Sequence, residues 1–318
     1  MKKLLITRPL PEEVLAALEG LYETTVRQLN TPLDDTELRL ALTDYDAVLP
    51  TLGDMFQREV FQDVGQPRCQ VLANFGVGYN HIDTQAAAAA GVTVSNTPGA
   101  VTDATADIAM MLMLMSARRA GEGERLVRSG QWQGWHPTQM LGMHLSGKTV
   151  GIVGMGRIGQ AIAQRCYFGF GMSVKFFNRS PKHMEFDTEQ IETLTELAGQ
   201  VDVLVAAVPG GAETRHLIGA DVFAAMRPHG HFINISRGDV VNETDLIAAL
   251  HERQISGAGL DVYENEPSVS AALRDLENVT LLPHLGTAAR EVRINMGMMA
   301  VENLRAHHSG RPLPNLVP

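Results

Sequence analysis

Three short stretches carry the side chains most able to do chemistry: Ser236-Arg237-Gly238, Asp261 through Glu266-Pro267, and Pro283-His284-Leu285-Gly286. Each follows a buried-looking apolar run: Phe232 to Ser236, Gly257 to Asp261 and Val279 to Leu282. In open α/β sheets, ligands bind outside the carboxyl ends of the strands. Arg237, Glu266 and His284 can therefore converge on one crevice. Singly, each has a duller role: Arg237 as a surface ion-pair partner, Glu266 as a solvated loop acid, His284 as a hydrogen-bonded turn residue. Together, on successive strand ends, the functional reading is the stronger.

A second stretch binds rather than reacts. Thr149 to Val153 has the β-branched, apolar composition of a strand buried on both faces. Gly154, Gly156 and Gly159 follow in G-x-G-x-x-G spacing, then residues of helical character to Arg165. In a dinucleotide fold the first glycine permits a tight turn and the second lets backbone approach a pyrophosphate. The third lets helix pack on strand, and the pyrophosphate sits at the positive helix end. The end of the next strand, Ser173 to Phe177, selects the cofactor. An NAD site usually has an acid there for the ribose hydroxyls. Here stand Asn178, Arg179 and Ser180, which suit a 2′-phosphate, so NADP is favoured. The duller alternative is that Arg179 is a solvated turn residue.

The elements that position these groups alternate strand and helix. Leu4–Thr7, Thr24–Val26, Ala47–Leu49 and Val71–Ala73 read as strands. Helices are expected over 12–18, 35–42 and 56–63, giving one α/β unit to about Pro98. Later helices are expected over 192–199, 220–226 and 243–253, around a further buried strand from Val201 to Pro209. The last helix, 289–308, is long enough to cross back onto the first unit. Asn74 to Asn80 is glycine-rich and follows a strand; it is either a carboxylate-holding concavity or an ordinary turn. A helix from Asp103 to Arg119, capped by Thr102 or Asp103, is apolar all round through Met110 to Met115, so burial on every side is expected. Core and subunit interface both fit it. Trp132 and Trp135 sit in a loop-like stretch suited to subunit contact or a pocket wall.

Bulk properties narrow the class. A chain of 318 residues suggests two domains, and 45% hydrophobic with 19% charged residues reads as soluble and globular. The formal charge of −10 argues against a nucleic-acid surface. Cys69 and Cys166 have no ligand-like spacing; they read as reduced core residues, and no metal site is expected. The apolar stretch at the amino terminus is too short for a signal peptide, and 108–115 too short for a membrane span, so a cytoplasmic protein is expected.

These stretches, with Asn74 to Asp83 and Asn96 to Asp107, carry a resemblance. The chain resembles the D-isomer-specific 2-hydroxyacid dehydrogenases, most closely the glyoxylate/hydroxypyruvate reductases. The resemblance implies an α/β fold of two doubly wound parallel-sheet domains. A Rossmann cofactor domain (99–285) would be inserted in a flavodoxin-like substrate domain (1–98, rejoined by 286–318). It implies NADP, with NAD as second cofactor, and a small 2-oxo or 2-hydroxy acid substrate. It also implies a homodimer built partly by the methionine-rich helix, with the Trp135 loop reaching toward the partner's site. His284 would donate a proton to the substrate carbonyl, Glu266 would orient it, and Arg237 would grip the substrate carboxylate. Backbone at Val77 and Gly78 would hold that carboxylate too. Cofactor contacts would come from Thr105, Gly154, Gly156, Arg157, Ile158, Gly159, Asn178, Arg179, Ser180, Val208, Pro209, Ser236, Asp261 and Gly286. Relatives acting on 2-ketogluconate or phosphoglycerate are the neighbouring alternatives. The phosphoglycerate enzymes often add a regulatory domain, and this chain ends soon after its last helix. A nucleotide-sensing corepressor shares the fold and triad but would want added docking segments, and none is visible.

Overall fold

The computed structural model describes residues 1–318 and divides into two compact units, Met1–Val101 with Ala288–Pro318, and Thr102–Thr287.

In the first unit five parallel strands, β1 (Lys3–Ile6), β2 (Glu23–Val26), β3 (Ala47–Leu49), β4 (Val71–Ala73) and β5 (Thr93–Ser95), lie in the order β2-β1-β3-β4-β5. This is the flavodoxin-like order. The three central strands are short and almost wholly buried, as expected of a sheet covered on both faces. Helix Asp35–Asp44 starts with a capping box, Asp34 and Glu37 each accepting from the other's backbone N–H. The loop 50–56 is tied to the strand ends by Asp54. This fully buried carboxylate accepts from Thr7 Oγ1 at 2.6 Å, Arg8 at 2.9 Å, and the Leu33 and Thr51 N–H groups at 3.0 Å. The last helix, Arg290–His308, belongs to this unit and packs on β4 and on helix Glu12–Ala16.

In the second unit seven parallel strands follow: β6 (Thr149–Val153), β7 (Ser173–Phe177), β8 (Thr188–Gln190), β9 (Val203–Ala206), β10 (His231–Asn234), β11 (Gly257–Leu260) and β12 (Val279–Leu281). Their order is β12-β11-β10-β9-β6-β7-β8, the dinucleotide-fold order with one strand added. Alternate residues feed two separate cores, Leu204 and Phe232 into one, Val203, Val205 and Ile233 into the other. Both faces are therefore covered, the first by helices Leu194–Gln200, Ala220–Ala225 and Glu243–His251. The second is covered by Thr102–Ala117 and Arg157–Gln164.

Several local expectations need correction. Thr102 and Asp103 lie inside the first turn of helix Thr102–Ala117 rather than capping it. That helix is not buried on every side: Ala106, Ala109, Met110, Leu112 and Met113 are buried in the core shared with the sheet and helix Arg157–Gln164, while Leu114 is exposed. A further helix, Ala120–Arg128, was not expected; it buries no residue and contains Gly121 and Gly123, so it carries no core-facing stripe. Helix Thr84–Ala89 and the short strands β5 and β8 were also not expected. Trp132 and Trp135 stand in an irregular, exposed stretch, as a non-core role requires. Cys69 and Cys166 are buried free thiols.

Close approach of two helices in the first unit makes a stability prediction. A Cβ at Gly297 would stand 2.3 Å from Val14 Cγ2, well inside van der Waals contact. Gly297→Ala should therefore destabilise the protein by about 1–3 kcal/mol through overpacking, despite alanine's better helix propensity. Val14→Ala should relieve most of that cost, which chemical denaturation of the single and double variants checks.

Candidate active site

The site residues of the second unit sit just past three adjacent strands. Asn234, the last residue of β10, organises the first loop: its Oδ1 accepts from Ser236 N–H at 3.0 Å and Ser236 Oγ at 2.8 Å. Its Nδ2 donates to the Arg237 carbonyl at 3.0 Å. Gly238 then lies directly on the Tyr263–Glu264 peptide. A Cβ there would come within 1.8 Å of the Tyr263 carbonyl carbon, so no side chain fits. This contact brings the loop after β10 against the loop after β11.

The loop after β11 presents Glu266. Its Oε1 accepts from Tyr263 N–H at 3.0 Å and its Oε2 lies 2.8 Å from His284 Nδ1. Tyr263 is anchored in turn by donating its hydroxyl to the Leu282 carbonyl, just past β12, at 2.8 Å. His284 takes a left-handed backbone conformation, φ 55°, held by its N–H on the Asp261 carbonyl at 3.0 Å. Such a conformation is uncommon for a non-glycine residue and persists where surrounding bonds impose it. Asp261 supplies them: its buried carboxylate accepts from Leu285 N–H at 2.6 Å and Gly286 N–H at 2.8 Å. Thr105 closes the ring by donating to the Gly286 carbonyl at 3.2 Å.

The electrostatics follow from this geometry. Burial pushes the Glu266 carboxyl up, but the His284 hydrogen bond and charge, the Tyr263 N–H and the Arg237 charge outweigh it. Glu266 is held below its ordinary range. Asp261 goes the other way, because burial outweighs its two N–H donors. Burial also lowers the Arg237 guanidinium, opposed by the charges of Glu266 and Asp239. With Nδ1 turned to a carboxylate, His284 has Nε2 left to exchange a proton with a ligand. Such a ring, beside a guanidinium suited to carboxylates, can do acid–base chemistry on a small acid.

The glycine turn tests whether a dinucleotide fits. Gly154 has φ 98°, and a Cβ there would meet Val208 Cγ1 at 2.7 Å and the Ala207 carbonyl oxygen at 2.8 Å. The turn is thus pressed against the end of β9, where the strand order reverses. At Gly159 a Cβ would lie 2.1 Å from the Gly154 carbonyl oxygen, while at Gly156 it would meet nothing within 4 Å. The open side at Gly156 faces the start of helix Arg157–Gln164, whose first N–H groups have no intrahelical acceptor. A pyrophosphate fits that arrangement. At the end of β7, Asn178 spends its amide on the protein, accepting from Met155 N–H at 3.0 Å and donating to the Ser180 carbonyl at 2.8 Å. Arg179 is exposed and ion-paired with Glu213, and no acid stands at this strand end.

In the first unit, the loop after β4 turns its carbonyls inward. Asn74 Nδ2 donates to the carbonyls of Gly76 at 3.1 Å and Gly78 at 3.0 Å, and Asn96 Nδ2 to that of Val77 at 2.9 Å. The N–H groups of Val77, Gly78 and Tyr79 donate to no group of the chain. Of the two readings of this loop, an anion-holding concavity fits the hydrogen bonding better than an ordinary turn.

The positioning residues Asn234, Tyr263 and Gly238 were not singled out from sequence. Gly238 gave the best available signal, as a glycine directly after the candidate arginine; Asn234 and Tyr263 look like ordinary strand and loop residues.

Acid should weaken this site in a traceable way. A carboxyl held below its ordinary value stabilises the fold above its unfolded-state pKa and loses that contribution as pH falls through the folded value. Glu266→Gln should therefore flatten the decline of Tm below about pH 5 relative to wild type. Parallel acid limbs in thermal melts of the two proteins would contradict the Glu266–His284 coupling.

Known proteins resemble this chain over its full length. The family model described as D-isomer specific 2-hydroxyacid dehydrogenase, NAD binding domain, matches residues 110–286. A glyoxylate reductase of Thermococcus litoralis is 40% identical over 99% of this chain and 96% of its own. That of Pyrococcus furiosus is 40% identical over 99% and 95%. Among solved structures, an NADPH-dependent glyoxylate/hydroxypyruvate reductase from Sinorhizobium meliloti, in complex with NADP and malonate, superposes with a TM-score of 0.88. It is 35% identical, over 99% of this chain and 96% of that one. The TT0316 protein of Thermus thermophilus gives a TM-score of 0.92 at 38% identity, over 99% and 100%. Full-length likeness in sequence and in fold thus joins the strand-end histidine, carboxylate and arginine, and this chain is an oxidoreductase belonging to the D-isomer specific 2-hydroxyacid dehydrogenase family.

Proposed function

We propose that this enzyme reduces small 2-oxo acids, glyoxylate and hydroxypyruvate, to 2-hydroxy acids, with NADPH preferred over NADH. The observation that carries the reading is His284 Nδ1 at 2.8 Å from Glu266, in the unit that also holds the glycine turn. The substrate class is supported by relatives named glyoxylate reductase at 40% identity and by a neighbour named for glyoxylate and hydroxypyruvate.

When bound, the reduced nicotinamide supplies a hydride to the substrate's carbonyl carbon. His284 gives the proton from Nε2 to the carbonyl oxygen, and Glu266 keeps the ring oriented and stabilises its charge before transfer. Arg237 grips the substrate carboxylate and polarises the carbonyl, its guanidinium directed by donation to the Ser236 carbonyl at 2.7 Å. In the first unit, the N–H groups of Val77 and Gly78, which donate to no group of the chain, are the ones we assign to holding a carboxylate. Gly156, Arg157 and Ile158 would hold the pyrophosphate, with Gly154 and Gly159 shaping the turn, while Thr105, Val208, Pro209, Ser236, Asp261 and Gly286 would serve the nicotinamide. Arg179 and Ser180, beside Asn178, receive the 2′-phosphate, with Arg179 exchanging Glu213 for it; a carboxylate at 178 would repel that group.

We read the enzyme as a cytoplasmic homodimer. No helix is long and apolar enough to cross a membrane. Leu114, Val127, Trp132, Trp135 and Leu141 are exposed along one stretch of chain, a composition suited to a subunit contact.

If His284 is the acid–base residue, reduction needs it protonated and oxidation needs it neutral. The kcat/KM for glyoxylate reduction should fall toward alkaline pH, and that for glycolate oxidation should rise. His284→Ala should lower kcat by roughly 100-fold or more while leaving NADPH affinity within a few-fold. Identical pH profiles in the two directions would contradict the assignment.

A further inference from the structure

The outward-facing N–H groups of the 74–80 loop need something to hold its carbonyls in. Asn74 is 1% exposed and His81 5%, so water does not compete for their polar atoms. Asn74 Nδ2 meets two carbonyl oxygens, at 3.1 and 3.0 Å, and only an amide N–H₂ can satisfy both. This fixes the amide's orientation and leaves Oδ1 toward His81 Nε2 at 3.0 Å. His81 Nε2 is therefore the donor. The chain enters the loop through Asn74 N–H on the Ser95 carbonyl at 2.9 Å. It leaves through Asp83, which accepts from Ala86 N–H at 2.8 Å as the cap of helix Thr84–Ala89. Both ends are thus pinned independently of the Asn74 side chain, and what that side chain controls is the direction of the peptide planes between them.

We propose that Asn74, locked in orientation by His81, is a positioning residue that turns the loop's N–H groups outward and so sets affinity for the substrate carboxylate. The inference rests on the oxo-acid reading above and deepens it. Removing the amide donors leaves the Gly76 carbonyl with the Thr97 N–H at 3.1 Å alone and frees the Gly78 carbonyl to rotate, which scatters the N–H groups that an anion needs in one place. Because these groups bind the carboxylate in ground and transition state alike, the loss should fall on KM and not on kcat.

The test uses full-length Asn74→Asp, His81→Leu and His81→Gln. Asn74→Asp keeps the shape but sets a carboxylate against two carbonyls. His81→Leu removes the donor to Asn74, while the glutamine amide can replace it. Steady-state rates with NADPH and glyoxylate are paired with the Kd of malonate, a non-reacting carboxylate, titrated into NADPH-loaded enzyme. Asn74→Asp and His81→Leu should raise KM and the malonate Kd roughly tenfold each, a loss of about 1.4 kcal/mol, with kcat within about twofold and NADPH affinity unchanged. His81→Gln should return both close to wild type. If Asn74→Asp does not fold, the contrast between the two His81 variants decides alone. Unmoved KM and malonate Kd in folded variants would overturn the proposal. So would a parallel fall in kcat, cofactor affinity and Tm, the mark of a merely structural role. A wild type that binds malonate but reduces no 2-oxo acid would remove the proposed reaction, and the malonate Kd values would still judge the clamp.

Discussion

The contact between Gly238 and the Tyr263–Glu264 peptide is the constraint on which the active site depends. Neighbouring parallel strands run about 4.8 Å apart, so β10, β11 and β12 deliver their carboxyl ends side by side. Adjacency alone does not aim side chains. With no Cβ at 238, backbone lies on backbone, and the turn carrying Arg237 is fixed against the turn carrying Glu266. Tyr263 extends the arrangement by bonding through its hydroxyl to the end of β12, and Asp261 finishes it by holding the His284 turn through two N–H groups. Three strand ends become one rigid platform, in which an imidazole in a left-handed backbone conformation is presented to a carboxylate.

Charge is handled differently at the periphery of that chemistry. Two of the candidate anion sites, at the glycine turn after β6 and in the loop after β4, are built from backbone N–H groups. This suits a protein with a formal charge of −10. Fixed peptide dipoles attract a pyrophosphate or carboxylate locally, without a cluster of cationic side chains. In both places an asparagine sets the loop: Asn178 accepts from Met155 N–H in the glycine turn, and Asn74 takes two carbonyls in the other. At 178 the amide has a second consequence. It serves the turn as an aspartate would, without adding a negative charge where a 2′-phosphate would sit.

What the sequence made legible follows from how local each signal is. The glycine spacing after β6 and the buried apolar strands are read from neighbouring residues, and the two parallel sheets follow from strand–helix alternation. Arg237, Glu266 and His284 were legible as polar residues at successive strand ends. Their mutual geometry was not, because it depends on strand order and on Gly238 meeting a peptide 25 residues away in sequence. Helix Ala120–Arg128 escaped notice because it is short, buries no residue and carries two glycines among its charged residues. The methionine-rich helix misled in the opposite sense. Its composition suggests burial all round, yet burial depends on neighbours, and within one chain Leu114 is left exposed. Asn74 belonged to a stretch whose glycines allowed either an anion-holding concavity or an ordinary turn, and the bonds from its amide to two loop carbonyls are not revealed by composition.

The central claim is an NADPH-dependent reduction of small 2-oxo acids at the His284 platform. The measurement that tests it most directly is the initial rate of NADPH and NADH oxidation, followed at the nicotinamide absorbance, with glyoxylate and hydroxypyruvate. Fast turnover with NADPH and slow turnover with NADH is the predicted result. Absence of turnover with either cofactor, in protein that binds nucleotide, would contradict it.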